Sequence, residues 1–320
     1  MPLLGLCDTA IAGHLGEVSA LGAIAVGATM INVIIWLMGF LRMGTTGMTA
    51  RMYGEGNEGG CRALLKRGLW LALLIGAATV AAQYPLGKGL EWLLTPEGSV
   101  RDSAGLYFRI CVWGIPANLA VMVATGWFIG LQNTVIPMAI AIGQNAVNIP
   151  LSVWLAFGCE MGIAGVAGGT LISQWLAAGA AVGLAARRTA GLRAIAAHHS
   201  GGGTMSRLRA HHSIRWGEFF RVNGDLFLRS SCMLAVTLAM TAFGARMGEV
   251  TLGVNAVMMQ FFLFFSYFMD GFAYAGEALV GKASGAGDGK ELRLTVRGLL
   301  RWGPSWPRHF SSSMPSPGQK

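Results

Sequence analysis

The sequence contains little charge. Asp, Glu, Lys and Arg make up 12% of its 320 residues, against roughly 25% in an average soluble domain. None of the four occurs between residues 110 and 159, a run long enough for two membrane spans of about 20 residues each. A soluble protein of this size needs more charge to cover its surface, so the composition excludes a soluble enzyme and a disordered chain. It predicts an all-α, polytopic membrane protein.

The cysteine and histidine residues follow no metal-binding or disulfide pattern. The five cysteines are Cys7, Cys61, Cys111, Cys159 and Cys232. This odd, dispersed set excludes a disulfide scaffold and indicates small packing residues. Histidine pairs at 198–199 and 211–212 lie in a basic, glycine-containing segment that is typical of a flexible linker. We therefore expect no resident metal.

The uncharged runs predict eight membrane helices and a shorter ninth stretch. Each run is assigned as helix because a lone strand cannot satisfy its backbone hydrogen bonds in lipid. The predicted spans are residues 1–12 (half a span), 18–41, 68–87, two within 110–159 divided near Gln132, 161–186, 230–245 and 250–269, and the ninth stretch is 292–300.

The basic residues predict the orientation. The net charge is +9, and basic residues concentrate in segments 51–67, 187–215 and 282–297. Each segment follows an even-numbered span, and basic residues collect in the loops that stay in the cytoplasm. We therefore expect a multi-pass protein in the lipid bilayer of the inner (plasma) membrane, with these segments in the cytoplasm. This explanation of the positive charge leaves no reason to expect a nucleic-acid partner.

Two stretches of sequence occur twice. Residues 15–19 (LGEVS) resemble 247–251 (MGEVT), and residues 51–57 (RMYGEGN) resemble 282–288 (KASGAGD), which lie 231 positions later. In each copy the two stretches lie on either side of one long helix, which is span two in the first copy and span eight in the second. Span eight comes six spans after span two. An even number of spans makes both copies point the same way, which predicts two parallel six-helix lobes.

The repeat divides the chain into four parts. We predict an N-terminal six-helix lobe with an incomplete first helix (1–186), a basic cytoplasmic linker (187–215), a partial C-terminal lobe (216–301) and an off-pattern tail (302–320). Two complete lobes need twelve spans, and eight or nine are predicted. We therefore expect the chain to be truncated at both ends.

Polar groups inside the spans of the N-terminal lobe are candidate sites. An ionisable group in the bilayer costs roughly 2.5–3.5 kcal/mol on insertion scales. Asp8 lies in the first span and is a candidate proton or cation site; alternatively it lies in water at the outer end of a short helix. Asn145, Asn148 and Ser152 form one face of span five, and Thr170 and Gln174 form one face of span six. Such faces either bind an ion or hydrogen-bond neighbouring helices.

The C-terminal lobe has its own polar stripe. One face of span eight carries Tyr267, Asp270, Tyr274 and Glu277, although Glu277 can also be placed at the cytoplasmic end. Asp225 and Arg229 in span seven have the i, i+4 spacing of a local ion pair, which we interpret as structural first and gating second. The residues assigned to a substrate cavity or gate are Asn145, Gln174, Asp225, Arg229, Asp270 and Glu277.

Several motifs resemble the multidrug and toxic compound extrusion (MATE) transporters. Residues 8–16 (DTAIAGHLG) are similar to the end of the first helix in that family. The motifs that point to its DNA-damage-inducible protein F (DinF) branch are residues 40–47 (FLRMGTTG), 126–132 (GWFIGLQ), 148–151 (NIPL) and 221–225 (RVNGD). The resemblance runs from about Pro2 to Leu300 and covers about two-thirds of a usual member.

The resemblance implies a twelve-helix, two-lobed antiporter, and not an enzyme. It implies export of cationic or amphipathic compounds in exchange for protons or sodium, with no cofactor besides the coupling ion, and we expect a monomer. By motif, Asp8, Asn148 and Thr170 form the cation or proton site, with Tyr107 nearby. The fifth-helix acidic residue of relatives is Ser152 here, which favours protons over sodium.

Three alternatives remain. A flippase for lipid-linked oligosaccharide has the same two-lobed plan, but it needs several cationic side chains to hold a pyrophosphate. The spans offer few, namely Arg42, Arg109 and Arg229. An inactive truncated product is the second alternative. A membrane enzyme is disfavoured because no nucleophile or metal motif lies in a span.

Overall fold

A computed structural model of the chain describes residues 18–94, 98–199, 216–246 and 249–313. Within these ranges the chain forms helices joined by short turns, with no strand. The helices are α1 (Val18–Leu37), α2 (Phe40–Gly54), α3 (Glu58–Ala81), α4 (Gln83–Leu94), α5 (Gly98–Cys111), α6 (Ile115–Gly130), α7 (Val135–Val153), α8 (Gly162–His199), α9 (Trp216–Arg246), α10 (Glu249–Ala286) and α11 (Gly289–Ser313).

Five stretches of the described chain are long and apolar enough to cross a membrane. They are Gly22–Gly54, Glu58–Ala81, Val100–Gly130, Val135–Gly158 and Gly162–Ala190. These correspond to the predicted spans two to six, so those spans are confirmed as helices. The predicted spans seven and eight lie within α9 and α10, and the ninth stretch lies within α11. The first predicted span, residues 1–12, lies outside the described residues.

The helices extend further than the charge pattern predicted. Helix α2 continues through Arg51 to Gly54, and α3 begins at Glu58, so only three residues connect them. Helix α8 runs into the predicted linker as far as His199, and α11 runs into the predicted tail as far as Ser313. Charge marks where a helix leaves the hydrocarbon. It does not mark where the helix ends, because an exposed helical turn can carry charged side chains.

Irregular turns occur beside two prolines. A single 3₁₀ turn, Val112–Gly114, separates α5 from α6, whose second residue is Pro116. Helix α7 passes through Pro150 and continues as a π-helical turn, Trp154–Gly158. Both are expected where proline removes a backbone donor. Pro137 lies in the first turn of α7, where proline removes no helical hydrogen bond.

Helix α6 forms the centre of the N-terminal lobe. Trp127 and Phe128 are fully buried, and the Trp127 indole donates a hydrogen bond to the carbonyl of Cys61 in α3 (2.9 Å). On the side of α6 that faces α2, a Cβ atom at Gly126 would lie 2.5 Å from the carbonyl oxygen of Arg42. Membrane helices associate mainly through such close packing of small residues. Gly126 therefore determines how closely α2 approaches α6.

The predicted repeat is visible in the geometry of two hairpins. The turn from α2 to α3 places Gly56 at φ +70°, and the turn from α10 to α11 places Gly287 at φ +71°. The Asn57 side chain accepts a hydrogen bond from the backbone N–H of Gly60. Asp288 accepts one from the equivalent N–H, that of Glu291. All these positions are related by the same shift of 231 residues, so the duplicated sequence folds in the same way twice.

Candidate functional site

Two clusters of polar side chains lie between packed helices. The first, the Asn148 cluster, consists of Asn148, Ser152, Thr170 and Ser173 and lies between α7 and α8. The second, the Arg42 cluster, consists of Arg42, Arg229, Asp270, Tyr274 and Glu277 and lies where the N-terminal lobe meets α9 and α10.

Small residues bring α7 and α8 together at the Asn148 cluster. Gly165 and Gly169 lie four residues apart on α8, in the small-residue spacing that lets membrane helices approach closely. A Cβ atom at Gly165 would lie 2.6 Å from the backbone nitrogen of Ala156, and one at Gly169 would overlap the Ser152 hydroxyl. The backbone of α8 therefore packs directly against residues 152–156. The polar side chains next to these glycines lie in the resulting interface.

Asn148 is the centre of its cluster. Its amide nitrogen lies 3.1 Å from the Thr170 hydroxyl oxygen and 3.4 Å from those of Ser152 and Ser173. The Ser173 hydroxyl donates to the backbone carbonyl of Thr170 (2.9 Å). Asn148 and Ser152 are fully buried. The structure thus brings together three of the residues predicted for the cation or proton site, and it adds Ser173.

The amide oxygen of Asn148 is buried and has no hydrogen-bond partner among the described residues. Leaving such a group unsatisfied costs about 1–3 kcal/mol. The buried amide oxygens of Asn118 and Gln174 also lack a partner, and the Gln174 oxygen abuts Gly114 in the 3₁₀ turn. Free amide oxygens accept hydrogen bonds from a protonated group or bind a hard cation. The N-terminal lobe therefore holds buried acceptors.

Asn145 and Tyr107, also predicted for the N-terminal lobe, have further contacts in the structure. Asn145 donates to the carbonyl of Ala141 in its own helix (2.7 Å). Tyr107 is buried on α5 with its ring against Gly27 of α1. Asp8 lies outside the described residues. Ser173 was missed by sequence reasoning, although its position one turn after Thr170 was a usable signal.

Arg42 and Tyr274 join the two lobes in the second cluster. The guanidinium carbon of Arg42, on α2, lies 3.6 Å from the centre of the Tyr274 ring, on α10. Asp270 lies one turn earlier on α10, close enough for its charge to act on the Tyr274 phenol. A cation on an aromatic face next to a carboxylate is a stabilising arrangement, worth up to about 2 kcal/mol when shielded from water. Arg42 was not among the predicted site residues, because nothing in the sequence relates it to Tyr274.

Glu277 extends the same cluster by one turn. Arg42 and Arg229 attract its carboxylate, and Asp270 repels it. One Glu277 carboxylate oxygen is shielded from solvent, and no group in the described part of the chain hydrogen-bonds to it. Two cations and two carboxylates therefore share a small region between α2, α9 and α10.

The local ion pair predicted between Asp225 and Arg229 is not formed. Both side chains are exposed, and the salt bridges among the described residues do not include this pair. The Arg229 charge acts on Glu277 instead. A carboxylate shielded from water attracts a cation more strongly than an exposed one does, which explains the preference. The structure thus separates Asp225 from the Arg42 cluster.

Further contacts between the lobes surround the Arg42 cluster. Phe40 of α2 and Phe227 of α9 pack edge to face, with ring centres 5.6 Å apart. The Gln132 amide, in the turn after α6, donates to the carbonyl of Ala278 in α10 (2.8 Å). Arg42 therefore lies in an interface to which several residues of both lobes contribute.

Comparison with known proteins identifies relatives that are similar over most of this chain. The MatE family model matches residues 1–154 and 226–303. DNA damage-inducible protein F of Escherichia coli is 37% identical over 94% of this chain. Probable multidrug resistance protein NorM of Deinococcus radiodurans is 28% identical over 89%, and multidrug and toxin extrusion protein 2 of Mus musculus is 25% identical over 93%. The chain spans 64%, 60% and 50% of the lengths of these relatives.

Solved structures agree with the fold. The Vibrio cholerae MATE transporter VcmN matches with a TM-score of 0.74 at 19% identity, over 92% of this chain and 64% of its own. A MOP superfamily transporter from Pyrococcus furiosus matches with a TM-score of 0.72 at 18% identity, over 94% of this chain and 64% of its own. The predicted all-helical, multi-pass membrane fold and the predicted DinF-like resemblance are confirmed, and the bacterial relative agrees with the inner membrane.

Proposed function

This chain belongs to the MatE family, and we propose from that premise that it is a secondary active antiporter that exports cationic or amphipathic drugs and toxins. The family is one of transporters and not of enzymes. Two of the relatives above are named for multidrug resistance and toxin extrusion. The observation that carries the proposal for this chain is the guanidinium of Arg42 on the face of Tyr274, beside Asp270.

The Arg42 cluster has the chemistry to bind an organic cation. An aromatic ring supplies an attractive face, and two carboxylates supply the opposite charge. In this conformation Arg42, from the other lobe, occupies that face. Arg42 and Tyr274 are on helices of different lobes, so separation of the lobes withdraws the guanidinium. A cationic substrate then takes its place, and substrate binding is coupled to the conformation of the transporter.

The exchange partner is a proton, and Asp8 carries it. The Asn148 cluster contains only neutral side chains, and the family resemblance implies that Ser152 stands at the position of an acidic residue. A sodium ion bound among these neutral side chains alone would be an uncompensated charge inside the bilayer, which is costly. Protonation of Asp8 lowers the affinity for substrate, and by linkage the substrate lowers the affinity for the proton. Sodium is the alternative coupling ion.

Reconstitution tests both parts of the proposal. The chain is placed in liposomes, and export of ethidium is followed under a proton gradient, a sodium gradient or neither. We expect ethidium export to follow the proton gradient. Asp8→Asn is expected to reduce this export to the level of empty liposomes, and Asp102→Asn, at an exposed carboxylate of α5, to leave it unchanged. Export that needs neither gradient would refute antiport, and full export by Asp8→Asn would refute the role of that residue.

A monomer is the proposed functional unit, with the lipid bilayer and the transported compound as its partners. The Arg42 cluster and the Asn148 cluster are both built from one chain. Light scattering of the purified protein, corrected for bound detergent, measures the mass, and a stable dimer would contradict this part of the proposal.

A further inference from the structure

A groove lies between α3 and α8, outside both clusters described above. Its volume is about 410 Å³, and the lining residues include Arg62, Lys66 and Leu69 of α3 and Val182, Ala186 and Thr189 of α8. The walls are mainly apolar, and the charged side chains that line the groove are both basic. This combination differs from an ordinary packing gap, in which charge is absent.

Among the described residues, the two cations of the groove have no counter-ion. Arg62 donates one hydrogen bond, to the backbone carbonyl of Glu58 (3.4 Å). In the described part of the chain neither Arg62 nor Lys66 takes part in a salt bridge. They lie four residues apart on one helix, a spacing at which like charges repel each other by a few tenths of a kcal/mol. A bound anion would remove that repulsion.

The groove changes from polar to apolar along the membrane normal. Helix α3 begins at Glu58, next to the basic hairpin that we place in the cytoplasm. At a rise of 1.5 Å per residue, Arg62 lies roughly 6 Å and Lys66 roughly 12 Å into the helix, and Leu69 lies deeper. The two cations are therefore near the level of the lipid headgroups, and Leu69 is at the level of the acyl chains. Exposed Arg187 and Arg188 of α8 lie at the same end.

We propose that this groove binds an anionic phospholipid of the cytoplasmic leaflet. Arg62 and Lys66 bind its phosphate, and an acyl chain lies along Leu69 and Val182. Basic pockets between membrane helices on the cytoplasmic side have the chemistry for such headgroups. A zwitterionic lipid does not supply the net negative charge that two unpaired cations require, and a free phosphate does not use the apolar end. The site is independent of the transport proposal, because neither polar cluster contributes to it.

The repeat supplies a matched control. Arg293 and Arg297 of α11 are the equivalents of Arg62 and Lys66 after the shift of 231 residues. They have the same spacing, and both are exposed. General attraction to an anionic membrane affects both pairs alike, whereas the groove involves only Arg62 and Lys66.

Binding is measured on the purified chain by native mass spectrometry during titration with phosphatidylglycerol. Phosphatidylcholine with the same acyl chains and inorganic phosphate are the comparison ligands. We expect phosphatidylglycerol to bind in a saturable way and at least about tenfold more tightly than phosphatidylcholine. Arg62→Gln combined with Lys66→Gln is expected to remove that preference, and Arg293→Gln combined with Arg297→Gln to preserve it. Inorganic phosphate is expected not to compete.

A second variant separates loss of the site from loss of the fold. Ala186→Trp fills the groove and leaves every charge in place, so it too should abolish phosphatidylglycerol binding while the helical circular dichroism is unchanged. Equal losses of phosphatidylglycerol binding in the two double variants would refute binding in the groove and indicate general electrostatic attraction. Full competition by inorganic phosphate, or equally tight binding of phosphatidylcholine, would refute the proposal that the ligand is an anionic phospholipid.

Discussion

Gly54 of α2 and Gly285 of α10 are each pressed against the backbone of the opposite helix. A Cβ atom at Gly54 would overlap the carbonyl oxygen of Lys282, and one at Gly285 would overlap that of Arg51. Gly54 and Gly285 are equivalent after the shift of 231 residues, and so are Arg51 and Lys282. The crossing of α2 and α10 is therefore symmetric. It keeps the two lobes in contact next to the two basic hairpins.

Gly285→Ala is expected to destabilise this crossing. A methyl group cannot enter a backbone-to-backbone contact without moving a helix, and forced overpacking costs about 1–3 kcal/mol. We expect a lower thermal unfolding temperature and weaker contact between α2 and α10, measured by spin-label distances between the two hairpins. Gly271→Ala on the same helix is the control, because a Cβ atom there meets nothing within 4 Å. Equal stability of the two variants would mean that the crossing relaxes freely.

The sequence contained enough information for the spans and the repeat. Runs without charge located spans two to six, because a bilayer tolerates few ionisable groups. The break near Gln132 was found as well, and this residue adopts φ +64°. The duplicated motifs at residues 51–57 and 282–288 predicted matching hairpins, and these fold alike.

The composition of the clusters was less predictable. Asn148, Ser152 and Thr170 could be grouped because helical spacing puts each on a polar face. Arg42 and Tyr274 are 232 positions apart, and no local pattern relates them. We predicted that Arg229 pairs with Asp225, because sequence spacing identifies neighbours on one helix and not contacts between helices. Contacts between lobes depend on how glycines let α2 and α10 approach, which hydropathy does not encode.

Arg42→Gln is expected to strengthen the binding of an organic cation. The variant removes the guanidinium that occupies the Tyr274 face, so tetraphenylphosphonium no longer competes with it. We expect an affinity increase of about fivefold, within the range of a cation–π contact, measured by equilibrium dialysis. Arg109→Gln, at an exposed arginine of α5, is the control and should not change the affinity. Weaker binding by Arg42→Gln would show that Arg42 contributes to the site and does not compete for it.

Tyr274→Leu should have the opposite effect. It removes the aromatic face and keeps an apolar side chain, so we expect tetraphenylphosphonium to bind about fivefold more weakly. Tyr53→Leu, at an exposed tyrosine of α2, is the control for the loss of a phenol elsewhere. The same dialysis assay applies. An unchanged affinity in Tyr274→Leu would place the organic cation outside the Arg42 cluster.

Asn148→Ala is expected to lower stability by about 1–3 kcal/mol, because it leaves buried hydroxyls of Ser152, Thr170 and Ser173 without their shared donor. Asn145→Ala is the matched control on the same helix. The Asn145 amide nitrogen donates within its own helix, and its amide oxygen has no partner among the described residues, so its loss should change the unfolding free energy little. Chemical denaturation in detergent micelles provides the comparison. Equal effects of the two substitutions would show that the Asn148 hydrogen bonds do not stabilise the fold.

Ser152→Asp tests why the Asn148 cluster is neutral. The carboxylate would lie beside the Asn148 amide in a fully buried position, where a charge needs a partner. Sodium provides that partner, since hard cations prefer carboxylate and amide oxygens. We expect sodium chloride, but not potassium chloride, to raise the unfolding temperature of Ser152→Asp, and the parent chain to show no difference between the two salts. A specific sodium effect on the parent would mean that Ser152 does not prevent sodium binding, and the coupling ion would then be sodium.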